Sequence, residues 1–136
     1  MTIRSLAALL IIHFCVSSAP AAPSDATASK LLVGSWVNRG RYRSLSDTRT
    51  WIFRANGTFS FCTVLRSGDA EAQLQTLGKW RIRDGVLIQE VTGGTEGTHV
   101  GSIMRHILLS IDEKRVHFRT QWGEEPAFTR KLALGI

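Results

Sequence analysis

The chain has 136 residues, of which 43% are hydrophobic and 21% charged, with a formal net charge of +6. That length bounds it to one small domain, and the basic balance favours anionic partners over cationic ones. With Cys15 inside a leading apolar run, only Cys62 remains once that run is removed, which excludes an internal disulfide framework.

Residues 1–21 read as a secretory signal. Arg4 supplies the positive start, Leu6 to Val16 is apolar but too short to span a bilayer comfortably, and Ala19-Pro20-Ala21 fits a small-x-small cleavage site. The expectation is an exported protein, periplasmic or secreted, with no integral membrane span after cleavage. That address argues against nucleic acid as a partner. Residues 22–29 are expected to form a flexible leader, and residues 30–136 the folded domain.

Gly34-Ser35-Trp36-Val37 starts a first strand, and the polar stretch from Asn38 to Thr48 reads as a loop or a frayed strand end. Two hairpin signatures follow. Trp51 to Phe61 alternates apolar and polar residues around Asn56-Gly57, and Trp80 to Ile88 does so around Asp84-Gly85. Ala70 to Thr76 between them fits a helical turn or a strand. Thr92 to Gly101 holds four glycines and reads as a mobile loop. His106 to Ile111, Val116 to Gln121 and Ala127 to Leu132 read as further strands.

Register follows from burial. A three-residue loop with Gly57 left-handed pairs Phe53 with Phe59 and Trp51 with Phe61, so that all four rings share one face. A two-residue turn would split them. The same reasoning at Asp84-Gly85 predicts a three-residue form that gathers Trp80, Ile82, Val86 and Ile88. Strands that are greasy on one side and joined by short connections must curl to hide that side. About eight of them close an up-and-down antiparallel barrel that is filled by side chains or holds one small ligand.

Several of these motifs resemble a known family. Gly34-Ser35-Trp36 resembles the Gly-x-Trp that opens lipocalin-like (calycin) barrels. Phe53-Arg54-Ala55-Asn56-Gly57-Thr58-Phe59 resembles a hairpin of small bacterial lipocalin-like domains, and Gly78-Lys79-Trp80 resembles the one after it. Phe128-Thr129-Arg130 resembles their closing strand, so the likeness spans about residues 31–131. The resemblance implies an all-β barrel in which Trp36 plugs the closed end and Arg130 lies across its ring.

The chemistry-bearing residues point to binding and not to catalysis. No nucleophile elbow occurs, the acid pairs Asp112-Glu113 and Glu124-Glu125 fall in turns, and no His or Cys spacing suits a metal, so neither cofactor nor metal is expected. Asn56-Gly57-Thr58 fits a glycosylation pattern, but the turn accounts for the same residues. His99 either gates an opening or is a solvated loop residue. Trp51, Phe53, Phe59, Phe61, Trp80, Ile82 and Ile88 are the candidate pocket lining, or equally a solid core, with Ser60, Thr63 and Thr76 as possible polar contacts. Three functions fit. The first is a binder of a small apolar or amphipathic molecule. The second is a filled barrel whose surface at Arg39, Arg41, Arg43 and Arg49 meets an anionic envelope polymer or a protein such as a protease. The third is an avidin-like vitamin binder.

Overall fold

In the computed structural model, which describes residues 22–132, the Asn56-Gly57 hairpin has the expected form. Arg54 N–H donates to Thr58 O at 2.9 Å, closing a three-residue loop with Gly57 at φ +82°. Asn56 Oδ1 accepts from Thr58 N and Oγ1 at 3.1 and 2.7 Å. Trp51 then pairs with Phe61 and Phe53 with Phe59 between strands β2 (Leu45–Phe53) and β3 (Thr58–Ser67).

The same pattern continues around the molecule. Strand β1 (Gly34–Tyr42) precedes these two, and β4 (Ala70–Arg83), β5 (Val86–Gly94), β6 (Ile103–Ile111), β7 (Arg115–Arg119) and β8 (Ala127–Arg130) follow. Each strand is antiparallel to the next, and β1 pairs with β8 through Trp36–Arg130, closing an eight-stranded barrel with no free edge. Residues 38–48 are strand on both sides of a turn at Arg43-Ser44, and Ala70 to Thr76 is strand throughout. The glycine-rich stretch is shorter as a loop than expected, because Thr92 to Gly94 extend β5. Gly94 sits at φ +149° with a Cβ position already filled by Gln75 O and Thr98.

The Asp84-Gly85 hairpin departs from expectation. Its turn has two residues, both left-handed (φ +52° and +71°), and pairs Arg83 with Val86 and Ile82 with Leu87. This primed turn matches the twist of the flanking strands. It sends Leu87, Gln89 and Val91 inward and leaves Val86 and Ile88 on the other face. An outside contact fixes it: the Asp25 carboxylate accepts from Asp84 N and Gly85 N at 2.7 and 3.0 Å.

Asp25 belongs to a helix where a flexible leader was expected. Helix α1 (Asp25–Leu32) begins at the Ser24 N-cap and buries Ala28 and Leu32 against one end of the barrel. That end is closed. Arg130 Cζ lies 4.2 Å from the Trp36 ring centroid, and its guanidinium donates to Val33 O at 2.9 Å and to Leu31 O. Trp36 Nε1 donates to Leu32 O at 2.8 Å. Gly34 opens the motif because its backbone is left-handed, at φ +137°, and a Cβ there would run into the Arg130 guanidinium. The expected signal at 1–21 lies outside the described residues. No described helix is long and apolar enough to cross a membrane.

Candidate ligand-binding cavity

The barrel opens at the end opposite α1, ringed by the connections 43–44, 68–69, 95–102 and 120–126. A cavity of about 650 Å³ occupies this half. Its floor is aromatic because odd positions of β2 and β3 face inward. Trp51 is the hub, with ring centroids 5.2 Å from Phe53, Phe61 and Phe128 and 5.4 Å from Phe118. Above the floor, the same inward positions carry smaller or polar groups: Thr63 and Thr76 on the walls, and Arg49 bonded to Asp47 at 3.0 Å. Space remains because Thr63, one inward step beyond Phe61 on β3, and Thr76, opposite Phe61 on β4, are too small to fill the level above the rings.

Of the seven candidate pocket residues, Trp51 and Phe61 line this cavity. Phe53, Phe59 and Ile82 are buried in the packed half beneath it. Trp80 sets its ring edge on Phe53 at 5.4 Å, donates its Nε1–H to Arg54 O at 3.0 Å, and borders an outer groove. Ile88 lies in that outer groove and not in the barrel, a consequence of the two-residue turn. Thr63 and Thr76 reach the cavity, whereas Ser60 faces away from it and accepts from Arg54 at 2.8 Å.

The four arginines of the candidate anion surface do not share a face. Arg39 and Arg41 alternate outward along β1, and Arg43 sits exposed in the following turn, 5.4 Å over the Tyr42 ring. Arg49 has the inward parity of Trp51 and lies in the cavity wall. The plug residues Trp36 and Arg130 lie at the closed end, far from the opening.

Several lining residues were missed from sequence, among them Asp47, Trp122, Phe128 and, the one with most chemistry, His106. His106 is 3% exposed and faces the cavity from β6, its ring 5.9 Å from Trp51 and 5.8 Å from Trp122. Burial without a compensating charge lowers its pKa from the ordinary 6.5, favouring the neutral imidazole. The signal was Arg105: a charged side chain on an outward position forces its neighbour His106 inward. His99 stands at the rim of the same cavity. Among the described residues, no three His, Cys, Asp or Glu side chains converge as a metal site would require.

The chain was compared with protein-family models and with curated protein sequences, and neither comparison finds a match.

Proposed function

We propose that this is an exported lipocalin-like protein that holds a small apolar or amphipathic molecule in the open half of its barrel, without chemical change to it. The observation that carries this reading is the cavity of about 650 Å³ above an aromatic floor, in the size range of small-molecule pockets. An apolar body stacks on Trp51, Phe61 and Phe128, while polar groups reach Asp47, Arg49 and the threonines nearer the mouth. Export rests on residues 1–21. The filled-barrel reading has the three exposed arginines in its favour, but a hollow half does not belong to it.

The test is a titration with Nile red, an uncharged apolar dye, followed by dye emission and tryptophan quenching. Saturable binding that is lost in Thr63→Phe, which fills the wall above Phe61, is the expected result. An absence of binding to the wild type at micromolar protein would refute the proposal.

A further inference from the structure

The cavity floor contains more polar chemistry than an oily cup needs. Trp51 Nε1 and His106 Nδ1 are buried with no hydrogen-bond partner among the described residues. Their side chains are 6% and 3% exposed. Gln89, fully buried on β5 and diagonal to His106 across the β5–β6 pairing, has both amide atoms unpartnered. Gln89 lies beside the cavity and not on its lining. A buried donor or acceptor left unpaired costs about 1–3 kcal/mol, so the two side chains that do line the cavity, Trp51 and His106, call for a partner.

Above His106 stands Trp122, 67% exposed and in ring contact with the imidazole at 5.8 Å. It belongs to the 120–126 connection, whose backbone is fixed by Thr120 and Glu124. A side chain on a connection, and not on a strand, therefore stands over the imidazole.

We propose that the molecule bound in this cavity enters with an uncharged hydrogen-bonding group first, a carboxamide or hydroxyl, and that His106 and Trp51 receive it in the place now covered by the Trp122 ring. The inference rests on the binding function proposed above and specifies the ligand's buried end. A group that both donates and accepts serves either imidazole tautomer: it accepts from Trp51, and it accepts from or donates to His106 Nδ1 according to which ring nitrogen carries the proton. The Trp51 N–H only donates, and a neutral imidazole offers one donor and one acceptor.

Charge excludes an anion there. The titratable groups facing the cavity are Asp47 and Arg49 from β2, His99 from the 95–102 connection and Glu124 from the 120–126 connection. The lining residues of β3, β4, β5 and β8 carry none. Arg49 is already neutralised by Asp47 at 3.0 Å, so a carboxylate at the floor would be desolvated without a free cation.

The experiment compares three probes of one shape, naphthalene, 2-naphthamide and 2-naphthoate, by calorimetry and tryptophan quenching on the folded chain at pH 7.5. The expected order is 2-naphthamide tightest, ahead of both others by about tenfold, the effect of one buried hydrogen bond. His106→Phe should erase the advantage of 2-naphthamide over naphthalene, and His106→Gln should retain most of it. Near-UV circular dichroism checks the fold of both variants. If His106→Phe does not fold, the wild-type ranking alone decides. Equal binding of naphthalene and 2-naphthamide, or tightest binding of 2-naphthoate, would overturn the polar-end proposal while leaving the cavity intact. Failure of every probe, Nile red included, would instead remove the binding function itself.

Discussion

The closed and open halves of this barrel share eight strands and one alternation, yet one is packed and the other hollow. In the closed half, Trp36, Phe53, Phe59, Leu87, Val116 and Phe118 are fully buried, and α1 covers them from below. In the open half, the inward positions further along the strands of Phe53 and Phe59, beyond Trp51 and Phe61, hold Arg49, Asp47, Thr63 and Leu65 around empty space. Strand patterning decides which side of the sheet faces in. Side-chain volume at each inward level, together with a lid at one end only, decides whether that level is core or cavity. Trp51 marks the boundary, with its ring packed at a tilt against Phe53 below and forming the floor above.

This division can be broken first at the plug. Trp36→Ala should cost about 3–5 kcal/mol in urea unfolding, as for any fully buried ring. Ligand binding should then fall only through loss of folded protein. A variant that stays fully stable would show that the closed end is not what holds the barrel. Thr63→Phe should act in the opposite way, with at least tenfold weaker Nile red binding and a stability change within about 1.5 kcal/mol, because the added ring fills space instead of displacing core. Asp25→Ala removes the carboxylate that accepts from both turn amides at residues 84 and 85, and should cost about 1 kcal/mol, read from the shift in urea midpoint.

A smaller effect follows from His106. Its pKa is lowered in the folded chain from 6.5 by burial, so the unfolded chain takes up this proton first as the solution is acidified. Stability should therefore decrease as pH falls below about 6.5, and His106→Phe should remove that part of the slope when midpoints at pH 7.5 and 5.5 are compared. Smallest of all, replacing Arg39, Arg41 and Arg43 together with glutamate should leave stability within about 0.5 kcal/mol and Nile red binding unchanged, since all three face solvent away from the cavity.

How much of this was legible depends on how strongly each hairpin constrains itself. At Asn56-Gly57, four large rings allow one register only, and the sequence suffices. At Asp84-Gly85, Val86 and Ile88 compete with Leu87 and Val91 at similar hydrophobicity, and Gln89 on the second set argues for the wrong one. What decides it is Asp25, 59 residues away in sequence, which caps the two-residue turn. The helix carrying Asp25 was hidden for a related reason: a segment of 8 residues is too short to hold a helix by itself and forms because Ala28 and Leu32 have a barrel end to cover. The cavity was legible in part. Trp51 and Phe61 lie on its surface as their parity implies, but parity alone cannot tell the floor from the filled level below, where Phe53 and Phe59 reside. Arg49 and His106 share the inward parity of the aromatics, and their polarity masked it.

The most direct test of the division uses the tryptophans as reporters in a single spectrum. In protein labelled with 5-fluorotryptophan, fluorine NMR during a Nile red titration should shift the resonances of Trp51 at the floor and Trp122 at the mouth, while Trp36 in the plug stays fixed. A titration that moves Trp36 as much as Trp51, or that moves none of them, would contradict a barrel packed at one end and open to a ligand at the other.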